Sequence, residues 1–345
     1  MTTNKRATIK HVAKAAGVST QTVSRVINDR PDVSPETRVR ILQIIEDLNY
    51  QPSALARSLI QQRSFTLGVV TSGLKEYIGP SRTLNGITSK AAELNYALLL
   101  EELPHFDTEN IKPLLQSLLS RHVDGIVWAV PEVGDNRRWV DEILMDVPVP
   151  VVFLTMQPRA RVTTVSVDNF SGGVLATQHL LAQGRRNVGH ISGDLDWWEA
   201  RQRKQAWQET MAKAGTKPQD RQFSEGNWSC ACGEAAFNQL LQSYPEMDAV
   251  FVANDQMALS VLQIAHQKGI KIPGDLAVIG FDNITESPFF WPALTTINQD
   301  QHELGARAIQ ELASQIETLQ RNEKIEPLNI LLATELIVRE SSANQ

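Results

Sequence analysis

Residues 8–28 read Thr-Ile-Lys-His-Val-Ala-Lys-Ala-Ala-Gly-Val-Ser-Thr-Gln-Thr-Val-Ser-Arg-Val-Ile-Asn. Ile9, Val12, Ala13 and Ala16 fall at i, i+3, i+4 and i+7, one face of a short helix. Thr8 stands where an N-cap belongs. Gly17 follows the last apolar residue and suits the left-handed backbone of a tight turn. Ser19 is placed to cap a second helix, on which Val23, Val26 and Ile27 face inward. Thr20, Gln21, Ser24, Arg25 and Asn28 then face outward. Arg and Gln side chains can make paired hydrogen bonds to purine edges, and Ser and Thr hydroxyls reach phosphate. The small Ala13 and Ala16 allow the two helices to cross closely. The pattern predicts a helix-turn-helix that reads DNA; an ordinary helical hairpin on a protein surface is the competing reading.

A third helix follows. Ser34 is its cap, Pro35 suits the first helical position and Glu36 lies in the first turn. Ile41, Ile44, Ile45 and Leu48 form its expected buried stripe. Three short helices in about 50 residues make a small, marginal core. Gln51-Pro52-Ser53 interrupts the pattern, and Ala54–Leu59 has the length of one and a half helical turns, too short to be stable alone in water. Leu55 and Leu59 share one edge. Two such segments from two chains, packed together in a minor groove, would kink the DNA with an apolar wedge; a plain linker is the alternative.

The whole chain has 345 residues, 42% hydrophobic and 21% charged, which leaves room for two or three domains of ordinary soluble composition. It lacks an apolar run of about 18 residues and an apolar N-terminal signal region, so a cytoplasmic protein with no membrane partner is expected. Net charge is −6. Residues 1–62 hold nine basic and five acidic side chains, a net +4, which leaves −10 on the remainder. A basic head on an acidic body confines nucleic-acid contact to the head. Cys230 and Cys232 make no disulfide framework, and with no neighbouring His they are poor metal ligands. His11, His105, His122, His179, His190, His266 and His302 show no metal spacing, so neither a metal nor a cofactor is expected. No dinucleotide or Walker loop and no nucleophile elbow is present, which leaves little for an enzyme.

From Phe65 onward short apolar runs alternate with helical stretches. The runs are 66–71, 96–100, 124–130, 149–154, 164–167, 188–192, 248–253 and 276–281. Helical patterns lie at 84–94, 172–183, 198–214, 233–242 and 256–268. Repeated strand–helix units imply parallel sheets covered on both faces. Ligands of such sheets bind beyond the carboxyl ends of the strands. Thr71-Ser72, Asp168-Asn169, Asn254-Asp255 and Asp282-Asn283 cluster there, with Arg201, Trp197, Trp198 and Trp228 nearby. Asp, Asn, Arg and Trp suit a carbohydrate, which offers many hydroxyls and an apolar face. Residue by residue, each Asp or Asn is also readable as a helix cap.

With these residues in view the chain resembles the lactose/galactose repressor (LacI/GalR) family of bacterial regulators, from about Thr8 to Glu340. The marks are residues 12–28, Leu-Asn-Tyr-Gln-Pro (48–52), Ala-Arg-Ser-Leu (56–59), Val-Ala-Asn-Asp-Gln-Met-Ala (252–258), Gly-Phe-Asp (280–282) and Leu-Thr-Thr-Ile-Asn-Gln-Asp (294–300). The resemblance implies a homodimer on roughly palindromic double-stranded operator DNA. Thr20, Gln21 and Arg25 match base-reading positions. Ser19, Ser24, Asn28, Ser34, Thr37 and Tyr50 match positions that touch the DNA backbone, Leu59 matches a leucine pushed into the minor groove, and Thr8 and Ala56 complete the expected DNA-binding residues. Arg201, Asn254 and Asp282 match residues that grip sugar hydroxyls. Trp228 matches a platform for the sugar ring, and Gln299 and Ser72 match further cleft positions. Thr155 stands where the lactose-binding member has a carboxylate. The chain also ends without that member's leucine-rich C-terminal helix, which favours a dimer.

The fold expected is therefore a small all-α helix-turn-helix head plus an α/β body of two Rossmann-like subdomains of periplasmic-binding-protein type. The divisions expected are 1–51 for the head, 52–63 for the hinge and 64–345 for the effector-binding and dimerisation body. The body divides into 64–163 plus 293–325, and 164–292 plus 326–340. The function expected is a transcriptional regulator, in all expectation a repressor, of a carbohydrate-utilisation operon. Its effector would be a galactoside or related glycoside in the cleft between subdomains. A sugar-binding protein or a carbohydrate enzyme on the same scaffold is the alternative.

Overall fold

The computed structural model describes residues 7–27, 30–50, 63–75, 77–106 and 111–343. The expectations for Asn28, Ala56 and Leu59 lie outside the described residues. The chain divides between Phe65 and Thr66 into two compact units.

The first unit holds α1 (Ile9–Ala16), α2 (Thr20–Ile27) and α3 (Pro35–Asp47). Gly17 closes α1 at φ 65°, the left-handed turn that a glycine allows without a Cβ clash. Ser19 Oγ accepts from Thr22 N at 3.0 Å, and Ser34 Oγ accepts from Thr37 N at 3.4 Å. Val12, Ala13, Ala16, Val23, Val26 and Ile41 form one core, with Ile9, Ile44, Ile45 and Tyr50 packed on it. Leu48 departs from the expected stripe. It caps α3 outside helical geometry and stays 39% exposed.

The second unit is built on two six-stranded sheets. Its strands are β1 (Thr66–Thr71), β2 (Ala97–Glu102), β3 (Gly125–Ala129), β4 (Val151–Leu154), β5 (Thr163–Val167) and β6 (Val188–Ser192). They continue with β7 (Phe223–Glu225), β8 (Ala249–Val252), β9 (Ala277–Asp282), β10 (Thr295–Asn298), β11 (Asn329–Leu332) and β12 (Glu335–Ile337). The first sheet runs β11-β5-β4-β3-β1-β2 with every neighbour parallel. The second runs β12-β10-β9-β8-β6-β7, and only β12 is antiparallel. Central strands such as β3, β4 and β8 are buried at every residue, as sheets covered on both faces require.

The lobe boundaries differ from those read in the sequence. β5 pairs with β4 and β11, so residues 164–167 belong to the first lobe. Residues 295–298 pair with β9 and belong to the second. Residues 329–332 return to the first lobe, and the chain from 335 onward ends on the second, where Ser341 bonds the backbone of Val278. An apolar run announces a strand; the hydrogen-bonded neighbour, which decides the lobe, is a long-range choice. Three crossovers thus join the lobes. The helix Gln301–Gln320 covers the first sheet between the second and third of them.

Among the described residues no helix is long and apolar enough to cross a membrane, and no group of three metal-ligating side chains gathers. Cys230 and Cys232 are free thiols.

Candidate functional site

On the head, α2 turns its apolar residues inward and leaves Thr20, Gln21 and Arg25 exposed, with Ser24 half-buried. Arg25 Nη1 lies 3.3 Å from Asp32 Oδ2, a pair about half open to water. Such a pair is weak and easily exchanged for a base edge. Ser34 and Thr37 stand at the start of α3, whose first backbone N–H groups have no helical partner and suit a phosphate. Thr8 and Ser19 occupy the starts of α1 and α2, and Thr8 N donates to His11 Nδ1 at 3.3 Å. Tyr50 is half-buried against the head core.

In the body a cavity lies between the lobes at the carboxyl ends of both sheets. The space within its lining, open solvent at the mouth included, is about 650 Å³. Tyr77, Pro80 and Thr83 line it from the start of the helix Ile78–Glu93, Ala129 and Pro131 from the end of β3, and Thr155 from the end of β4. The second lobe supplies Trp197, Glu199 and Arg203 from the start of the helix Trp198–Lys213. Trp228, Asn254 and Asp282 complete that wall, and Gln299 and Gln301 come from the crossover after β10.

The polar centre is Arg203, only 2% exposed. Its Nε donates to Asn169 Oδ1 at 2.8 Å, and Nη1 donates to Ala253 O at 2.5 Å. Nη1 also lies 3.8 Å from Asp282 Oδ1, and the guanidinium carbon sits 3.7 Å above the Phe281 ring. Gln299 Nε2 donates to the same Asp282 oxygen. Burial pushes the Asp282 carboxyl up to about 7 against the pull of the Arg203 cation. Burial likewise raises Glu199 to about 6, with Arg203 again opposing.

A second buried carboxylate fixes the loop that carries Asp282. Asp255 accepts from Ile284 N at 3.0 Å, from Ser287 Oγ at 2.6 Å and from Thr296 Oγ1 at 2.6 Å. Gly280 makes this possible, because a Cβ there would lie 2.2 Å from Asp255 Oδ1. Asn254 caps the next helix through Met257 N, and its Nδ2 donates to Trp228 O at 2.9 Å. Thr155, Trp228 and Asp282 have φ of 50°, 73° and 113°. Left-handed backbone at non-glycine residues costs about 1–3 kcal/mol each and concentrates at ligand sites.

Trp197 ties the lobes together. Its ring meets Tyr77 and Phe106 of the first lobe edge-on at 5.0 and 5.4 Å, and Trp228 of its own lobe at 5.7 Å. Its backbone forms an antiparallel bridge with Val133; Gly134 N donates to Asp196 O, and Trp198 N to Glu132 O.

Trp228, Asn254, Asp282 and Gln299 are therefore brought to one cavity. Arg201 and Ser72 are not. Arg201 is exposed on the far side of its helix, where Nη1 donates to Leu195 O at 2.8 Å and Asp196 O at 2.7 Å. Two residues on a helix are about 200° apart, so Arg203 takes the inward place. Ser72 is buried, does not line the cavity, and donates to Leu103 O at 2.7 Å. Sequence reasoning missed Arg203 and Glu199, although Glu199, Arg203, Ala206, Trp207 and Thr210 mark the buried face at helical spacing. Nothing local signalled Tyr77, Thr83 or Gln301.

Residues 8–53 match the family described as "Bacterial regulatory proteins, lacI family", and residues 177–342 match the "Periplasmic binding protein-like domain". The HTH-type transcriptional repressor PurR of Pasteurella multocida is 36% identical over 97% of this chain and 98% of its own length. Of solved structures, the Lac repressor dimer bound to operator and the anti-inducer ONPF matches with a TM-score of 0.84. It is 29% identical and covers 99% of this chain and 100% of that one. The complex of the transcriptional regulator CelR with cellobiose matches at 0.72 and 31% identity, over 97% and 100% of the two chains.

Proposed function

The chain belongs to the lacI family of bacterial regulatory proteins, and from that premise we propose that it binds a roughly palindromic operator as a homodimer under the control of a saccharide in the cleft. It is a DNA-binding transcriptional repressor and not an enzyme. The observation that carries the effector reading is the Arg203–Asp282–Gln299 cluster lining one cavity together with Trp197 and Trp228. Charged and amide groups grip hydroxyls, and the indole rings offer an apolar platform. The bound cellobiose of the CelR complex and the ONPF of the Lac repressor complex support a saccharide or glycoside here.

Thr20, Gln21 and Arg25 read bases, while Ser19, Ser24, Ser34 and Thr37 hold phosphate. Dimerisation is supported by Phe289 and Trp291, large apolar side chains 86% and 85% exposed on the second lobe, and by the dimeric Lac repressor relative. A repressor on its operator works in the cytoplasm. A planar heterocycle such as a purine base is the second reading for the effector, favoured by three aromatic rings, Tyr77, Trp197 and Trp228, at one cavity.

In vitro selection from a random duplex pool tests the DNA half. The full chain is expected to enrich a two-fold symmetric sequence, and Arg25→Ala is expected to lose it. Enrichment of no sequence, or of a single half-site, would count against the dimeric reader.

A further inference from the structure

Three charged side chains line the cavity: Arg203, Asp282 and Glu199. The first two are engaged with each other, and Asp282 is further occupied by Gln299. Glu199 is different. It is 8% exposed, it lines the cavity, and among the described residues no hydrogen bond reaches its carboxylate. Its charge is met only by the field of Arg203, which Asp282 already shares. Nearby, Gln299 Oε1 is also buried without a partner. A buried carboxylate left unmatched is costly, and a bound partner that supplies donors removes the cost.

We infer that Glu199 sets the charge class of the effector: the cleft takes an uncharged, hydroxyl-rich ligand whose O–H groups donate to Glu199, and rejects phosphorylated or carboxylated sugars. Above about pH 7, where Asp282 and Glu199 are both ionised, two carboxylates against one guanidinium leave the cavity wall net negative, and like charges brought together out of water repel strongly. A sugar phosphate would also strand Glu199 without a donor. Arg203, the cation an anionic ligand would need, is held by Asn169, Ala253 and Asp282. This inference rests on the cleft being the effector site and narrows what enters it.

The test is thermal unfolding and calorimetric titration of the full chain with matched pairs: glucose, galactose and cellobiose beside their 6-phosphates, and adenosine beside adenosine monophosphate. The neutral member of a pair is expected to raise the melting temperature, and its phosphate to bind at least about 100-fold more weakly. Glu199→Gln keeps the shape and removes the charge. It is expected to weaken the neutral ligand about tenfold and to bring the two members of the pair within about tenfold of each other. A phosphate ester that binds as well as its parent overturns the inference. So does an unchanged ratio in a folded Glu199→Gln, or silence from every pair. Stabilisation by adenosine alone would remove the saccharide reading while leaving the charge rule to stand or fall on its own pair.

Discussion

Arg203 Nη1 lies 3.8 Å from Asp282 Oδ1, and Gln299 Nε2 donates to that same oxygen. One carboxylate thereby joins a helix of the second lobe, the end of β9 and the crossover after β10. A ligand touching this cluster touches a crossover between lobes, and Trp197, on the same cavity, bridges to Val133 and Tyr77 of the first lobe.

The two arginines of this helix should respond differently. Arg203→Lys keeps the charge but loses the planar fork that serves Asn169, Ala253 and Asp282 together. We expect at least a tenfold loss of affinity for any cleft ligand, measured by calorimetry. Arg203→Ala should also cost about 3 kcal/mol of stability by leaving a buried carboxylate unpaired. Arg201→Lys should change ligand affinity by no more than about twofold. Equal losses at both positions would return Arg201 to the site.

Acidity should act on the body in two opposed windows. Asp282, Asp255 and Glu199 hold their protons to about 7, 6 and 6 in the folded state, above their ordinary values near 4. Between about pH 4 and 7 the folded state binds more protons at these groups, so their contribution to stability falls as pH rises. His190 is lowered to about 3 by burial; the unfolded imidazole gains a proton below about 6.5, so its contribution is lost as pH falls. Asp282→Asn removes the largest carboxylate effect. Denaturant titration should show the variant gaining on the parent chain from pH 5 to pH 8. A gain in the reverse direction would mean that the Arg203 pairing outweighs burial.

Arg25 should carry base specificity and Ser34 should not. Arg25→Ala is expected to weaken the selected operator by about 1–3 kcal/mol and to relax preference at one position of each half-site. Ser34→Ala should weaken all duplexes alike. Competition assays with single-base operator variants separate the two outcomes. Asp32→Asn, which frees Arg25, should alter the stability of the head by less than about 1 kcal/mol.

The aromatic patch on the second lobe should matter for assembly rather than folding. Phe289→Asp with Trp291→Asp leaves the buried core untouched, since both side chains are exposed. Sedimentation should then report a monomer with an unchanged thermal midpoint and little affinity for the full palindrome. A dimer that survives both changes places the interface elsewhere.

The head was legible in the sequence because its signals are local. Capping by Ser19 and Ser34, the Gly17 turn and the spacing of Val12, Ala13, Val23 and Val26 all act within a few residues. The strands were legible as apolar runs, and their carboxyl ends located the cleft through Asn254 and Asp282. The strand partners of β5, β10 and β11 were not, because an apolar run does not name its neighbour: β11 joins β5 across the rest of the second lobe, while β10 stays beside β9. The error at Arg201 was of another kind. Two arginines stand two apart, and only the buried face set by Ala206, Trp207 and Thr210 distinguishes them. Tyr77, Thr83 and Gln301 reach the cavity through the packing of the first lobe, which no neighbouring residue announces.

The central claim is that cleft occupancy and DNA binding are coupled. Fluorescence anisotropy of the selected operator, titrated with the full chain with and without a saturating cleft ligand, measures that coupling directly. Saturation can be confirmed in the same samples through the emission of Trp197 and Trp228. The predicted result is a change in operator affinity of about 5- to 150-fold, which in Arg203→Lys requires at least about tenfold more ligand. An operator affinity that stays the same while the cleft is demonstrably filled would contradict it.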